Sequence, residues 1–158
     1  MQKEKKTFFM QEALKQAKKA LALEEVPIGA VIVDPDNKII ARAYNKIETM
    51  QSQTAHAEIL AIQKAYKKVS NWRLNGCWIY VTLEPCLMCL GLIKLSRLEG
   101  IVFGGKSTLF GIGIDEIADQ APFYMQDLKI EGGVENEESL SLLKSFFKKV
   151  RKKEKGQP

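Results

Sequence analysis

The 158 residues are 46% apolar and 27% charged with a net charge of +5, which suits a single domain whose core needs no disulfide support. The longest apolar run, Val26 to Val33, contains Pro27 and Gly29 and is far too short to span a bilayer, so a membrane protein is excluded. Lys3, Glu4, Lys5 and Lys6 stand where a secretory leader needs an apolar stretch, and three cysteines fit a reducing cytoplasm.

In chain order, Phe9, Ala13, Leu14, Ala17, Ala20 and Leu21 recur at helical spacing and predict an amphipathic helix over 7–24, ended by Pro27. Apolar and β-branched runs predict strands at 29–33 and 38–44, joined by a hairpin turn at Asp34-Pro35-Asp36-Asn37. Residues 45–55 are polar and predict a loop. A helix is expected over 55–69 with Thr54 as its cap, then a turn at 71–76 and a buried strand at 77–82.

Pro85 suits the first turn of the next helix, where a missing N–H is tolerated. This helix is expected to reach Leu98, ahead of a strand at 100–103. Gly104, Gly105, Gly111 and Gly113 break any period after it, and 106–127 yields no clear element. Residues 129–131 predict a short strand. Leu140, Leu143, Phe147 and Val150 form the apolar stripe of the last helix, which places Phe147 in the core. Helices that alternate with strands predict an α/β fold of packed layers, with 1–158 as one domain.

Positive charge gathers at the end of that domain, in a basic helix and tail over about 137–158. Over 144–158, Lys144, Lys148, Lys149, Arg151, Lys152, Lys153 and Lys155 stand against only Glu154, a net of +6, so the other 143 residues are nearly neutral at −1. A basic end on a neutral body suits a partner with a line of phosphates. A solubilising tail is the plain alternative.

The chemistry lies in His56-Ala57-Glu58 and Pro85-Cys86-Leu87-Met88-Cys89, which use the only histidine of the chain. Cys86 and Cys89, three apart, share one face of a first helical turn, where unpaired N–H groups favour thiolate. His56 and Glu58, two apart, converge only near a helix start, because side chains tilt toward the N-terminus. A zinc ion between two helix starts satisfies both constraints. One imidazole and two thiolates give it three protein ligands and leave the fourth position for water. Glu58 is then the proton carrier that such a water needs, and one zinc per chain is expected. A closed structural site would need a fourth protein ligand. The one remaining thiol, Cys77, sits in an apolar strand and is expected in the core.

Thr54-Ala55-His56-Ala57-Glu58-Ile59 and Val81-Thr82-Leu83-Glu84-Pro85-Cys86-Leu87-Met88-Cys89 resemble the zinc-dependent cytidine/nucleobase deaminase superfamily, and its bacterial tRNA-specific adenosine deaminases most closely. The resemblance runs from about Phe8 to Lys153. It implies a three-layer α/β/α sandwich around a five-stranded mixed sheet, a homodimer, and conversion of adenosine to inosine at the wobble position of the tRNA anticodon loop. Val26-Pro27-Ile28-Gly29-Ala30 is similar to the stretch that lines the family's adenine pocket, and Asn45 to its base-contacting asparagine. Ala57 and Leu83 match neighbouring pocket positions.

Ser96-Arg97 resembles a family pair that either meets a phosphate or covers the subunit interface. Phe146-Phe147-Lys148-Lys149-Val150-Arg151 is similar to the family's terminal Phe-Phe and basic residues, which implies stacking on splayed bases and pairing with phosphates. Phe146 is the expected base-stacking residue and Lys149 a substrate contact. The chain departs from the family at Lys106-Ser107-Thr108, where Ser107 replaces an Asp, and at Ser52-Gln53, which replaces an Asp-Pro pair. Two other readings compete. A deaminase of a free base or nucleotide, of guanine or cytosine type, would need no basic arm. A non-catalytic RNA-binding module with structural zinc would not need Glu58.

Overall fold

The computed structural model describes residues 2–108, 111, 113, 114 and 127–156. Every residue of β1 (Gly29–Val33) and β4 (Gly100–Gly105) is buried, as strands covered on both faces must be. Alternation divides them between two cores. Ala30 and Ile32, with Ile79, Val81, Ile101 and Phe103, pack on one face against Ala57, Ala61 and Ile62 of α3 (Ala57–Val69) and Ile93 of α4 (Leu87–Leu95). Val31, Val33, Tyr80 and Val102 pack on the other against Phe9, Met10, Ala13 and Leu14 of α1 (Lys3–Ala22). Helix α5 (Asn136–Glu154) lies beside α1 on that second face.

The sheet has five strands in the order β2-β1-β3-β4-β5, where β2 is Ile39–Tyr44, β3 is Trp78–Leu83 and β5 is Lys129–Glu131. Its β1 pairs antiparallel with both β2 and β3, whereas β3, β4 and β5 run parallel, so the sheet is mixed. With helices on both faces this is the three-layer α/β/α sandwich that the resemblance implies. The register decides where a site can form. Gly29 pairs with Tyr44 and Ala30 with Val81, so the start of β1 and the ends of β2, β3 and β4 share one end of the sheet. Parallel strands bind ligands at their carboxyl ends.

Several boundaries move. Helix α1 starts at Lys3 rather than 7, because Lys and Glu are good helix formers and Lys6 pairs with Glu131 of β5 at 2.5 Å. Gly29 lets α1 lie against β1, since a Cβ there would collide with the Ala13 carbonyl. The 45–55 stretch contains a short helix, α2 (Ile47–Met50). Thr54 does not cap α3; its hydroxyl bonds Ser52 at 2.8 Å, and His56 is the N-cap. Pro85 lies before the N-cap of α4, which is Cys86, not inside its first turn. That helix stops at Leu95, as the chain turns through Arg97 in the left-handed region at φ 65°.

Gly104 and Gly105, which break the sequence period, are the last residues of β4. They are bare because Ser139 and Leu140 of α5 sit directly over them. The 106–127 stretch lies outside the described residues except for Lys106, Ser107, Thr108, Gly111, Gly113, Ile114 and Asp127. No helix among the described residues is long and apolar enough to cross a membrane.

Candidate metal centre and active site

Two helix starts meet at the sheet end. His56 is the N-cap of α3 and Cys86 the N-cap of α4; both have extended backbones, and neither side chain makes a capping hydrogen bond. Both side chains are therefore free to turn toward each other. Cys89 adds a third donor one turn along α4, and Glu58 sits in the first turn of α3. His56 Nδ1 lies 3.4 Å from Cys89 Sγ and 3.8 Å from Cys86 Sγ. The three donor atoms fall within 4.8 Å of one another, and among the described residues no other His, Cys, Asp and Glu group does so.

The electrostatics favour a metal. A hydrogen bond from Cys89, then one from His56, pulls the Cys86 thiol down to about 3. The Cys89 thiol is pushed up by that same hydrogen bond and by burial. His56 is raised, chiefly by its hydrogen bond with Cys86. A cation among these atoms would replace the shared proton and hold both sulfurs as thiolates. The donor set, one imidazole and two sulfurs on helix starts, fits zinc. Glu58 is 4% exposed, and its burial pushes the carboxyl up against the pull of His56 and Cys89. A carboxyl so tuned can both accept and return a proton. Cys77 is buried in the core and belongs to no such group.

A cavity of about 770 Å³ opens over these residues. Its inner wall holds His56, Ala57, Glu58, Leu83, Glu84 and Cys86; Val26, Ile28, Asn45 and Ile47 form a side wall, and Lys106, Ser107 and Thr108 another. Asn45 is 3% exposed; its Nδ2 donates to the Val26 carbonyl at 3.2 Å, and its Oδ1 accepts from the Ile47 N–H at 3.3 Å. An amide has two donors and two lone pairs, so half of its capacity remains for a ligand. Glu84 accepts from the backbone N–H groups of Ser107, at 3.3 Å, and Ile114, at 2.9 Å.

The outer wall is α5, through Leu140, Leu143, Lys144, Phe147 and Arg151. Here the structure corrects the sequence reading. Phe147 is not a core anchor: it is 44% exposed and faces the cavity. Phe146 and Lys149 do not line it, whereas Lys144 and Arg151 do. The signal was present, since Leu140, Leu143, Lys144, Phe147 and Arg151 follow helical spacing. An apolar stripe at helical spacing predicts a core contact, whereas this one turns to an open cavity. Glu84 and Met88, both within the Val81–Cys89 motif, and Gln53, at a departure from the family pattern, also line the cavity.

A mixed α/β/α sheet beside whose strand ends two helix starts carry a His, Cys, Cys trio and a buried Glu defines a deaminase of the cytidine/nucleobase type. The family model described as MafB19-like deaminase matches residues 4–151, and the chain belongs to that family. It stands there with the tRNA-specific adenosine deaminases. That of Bacillus subtilis (strain 168) is 45% identical over 151 residues, 94% of this chain and 92% of the relative. That of Aquifex aeolicus (strain VF5) is 40% identical over 148 residues, 92% and 96% of the two chains. A solved structure from work on A-to-I editing by tRNA:A34 deaminases at the wobble position of transfer RNA has a TM-score of 0.80 at 35% identity. It covers 87% of this chain and 99% of that one.

Proposed function

We propose that the chain, as one domain over 1–158, deaminates adenosine to inosine at the wobble position of the tRNA anticodon loop. The observation that carries this reading is the lining of the cavity, in which the buried Glu58 and two of the three metal donors, His56 and Cys86, share one space with the aromatic and basic side of α5. A free base would leave that outer wall unused, which weighs against the guanine or cytosine alternative. Buried Glu58 beside an incomplete ligand set weighs against a purely structural metal.

His56, Cys86 and Cys89 would hold one Zn²⁺ per chain. When bound, zinc supplies an activated water as nucleophile near neutral pH. Glu58 takes the proton of that water and delivers it to N1 of the purine as the C–O bond forms at C6. Glu58 would then take the remaining proton from the new C6 hydroxyl and pass it to the departing amino group, so that the C6–N bond breaks, the C6 carbonyl forms and ammonia leaves. Val26, Ala57 and Leu83 enclose the base, and the free half of the Asn45 amide reads its edge. Phe147 stacks on a splayed base, while Lys144 and Arg151 approach phosphates. Lys149 and Phe146 lie outside the cavity and serve the flanking RNA in this reading. Exposed Leu87 and Leu95 on α4 suit a homodimer, and three unpaired cysteines suit the cytoplasm.

The test is inosine mapping in tRNA incubated with purified, zinc-loaded protein, beside ammonia release from guanine, cytosine and their nucleotides. Inosine at the wobble position alone is expected. Ammonia from the small substrates with unedited tRNA would move the chain to the free-base reading.

A further inference from the structure

Glu25 is 1% exposed yet lies outside the cavity lining, and the chemistry above does not use it. Its carboxylate accepts from the backbone N–H of Glu48 at 3.0 Å and of Thr49 at 2.6 Å, and among the described residues no Lys or Arg pairs with it. Burial pushes the carboxyl up, but the Thr49 hydroxyl and these two N–H groups outweigh it and hold it below the ordinary carboxylate range. The group is therefore ionised at neutral pH.

The two amides belong to α2, a helix of four residues, far too short to persist unaided. The preceding amide, that of Ile47, is taken by Asn45 Oδ1 at 3.3 Å. Three consecutive first-turn N–H groups are thus held by two side chains, as helix starts require. The circuit then closes. Asn45 Nδ2 donates to the carbonyl of Val26, the neighbour of Glu25. Val26, Asn45 and Ile47 all line the cavity.

We propose that Glu25 is a positioning residue for the substrate base: it pins α2, and α2 fixes the Asn45 amide with its oxygen toward Ile47 and its nitrogen toward Val26. Only in that orientation are one N–H and one lone pair presented to the cavity in a fixed order. Releasing α2 frees the amide to rotate, so base recognition suffers while the metal trio, held by other elements, does not. The identity of the base rests on the tRNA reading; the circuit itself does not.

Glu25→Gln replaces one acceptor oxygen by an NH₂ group that faces an N–H. In the zinc-loaded full chain, amide hydrogen exchange at Glu48 and Thr49 should quicken by about 10-fold, the equivalent of removing one charge-assisted hydrogen bond. KM for tRNA should rise by about 10-fold on the same basis, with kcat changed much less and zinc content unchanged. In an Asn45→Ala background Glu25→Gln should add nothing to KM, because both residues act on the same part of the base. Should Glu25→Gln fail to fold, Thr49→Val removes one donor from the exposed side and should show the same pattern at about 3-fold, for a neutral hydrogen bond. The exchange measurement needs no substrate, so it reads the circuit whatever the protein edits. Unchanged exchange at Glu48 and Thr49, or KM effects that add fully in the double variant, would overturn the proposal.

Discussion

On the sheet side of the cavity, His56, Glu58 and Cys86 project from elements whose other faces share one buried core, with Ala57, Ala61 and Ile62 of α3 and Ile93 of α4 fully excluded from solvent. On the opposite side, α5 presents Leu140, Leu143 and Phe147 while burying only Ser139. Polar contacts tether it to α1 and its following loop: Gln11 to Glu135 and Glu138, Lys18 to Glu138, and Lys153 to Glu24. Solvent screens exposed ion pairs of this kind, so they hold the helix only weakly. The contrast follows the work of each side. Bond-making needs atoms held to a fraction of an ångström. Gripping a long, charged polymer needs an accessible aromatic and a row of cations, and it tolerates movement of their helix.

If that contrast is right, damage to the sheet side should abolish chemistry and damage to α5 should weaken binding. The largest effect is expected for Cys86→Ser, which should lose most of its zinc and all measurable turnover, whereas Cys77→Ser should keep both. Zinc analysis with a deamination assay checks this, and metal loss in folded Cys77→Ser would reveal a closed structural site. Next comes Glu58→Ala, which should retain zinc and tRNA affinity while kcat falls by about 10²–10⁴-fold. Single-turnover kinetics at saturating tRNA would read that drop, and near-normal turnover would remove Glu58 from the proton path.

On the α5 side, Phe147→Ala should cost about 1–3 kcal/mol of tRNA affinity, the range for one stacked base, with kcat much less affected. Phe146→Ala should cost less, because it lies off the cavity wall. Equal effects from the two would mean that the cavity wall is not the RNA-binding face. Charge reversal of Lys149, Lys152 and Lys153 to Glu should give a smaller effect at moderate salt. It should flatten log affinity against log salt by roughly 0.7–0.9 for each phosphate no longer neutralised. An unchanged slope would leave the basic tail as a solvated end.

What the sequence determined by itself is local. The His56 and Glu58 spacing, and that of Cys86 and Cys89, mean something only at helix starts, and both pairs stand at one. Unbroken apolar runs in β1 and β3 announce strands covered on both faces, because successive side chains point to opposite sides of the sheet. What tertiary structure decided is what each face meets. The stripe through Leu140, Leu143 and Phe147 reads identically whether it covers a core or lines a cavity. Helix α2 was invisible because its first-turn N–H groups are held partly by Glu25, more than twenty residues away in sequence. Helical spacing describes a segment's own geometry, whereas burial and backbone hydrogen bonding also depend on what the rest of the chain brings against it.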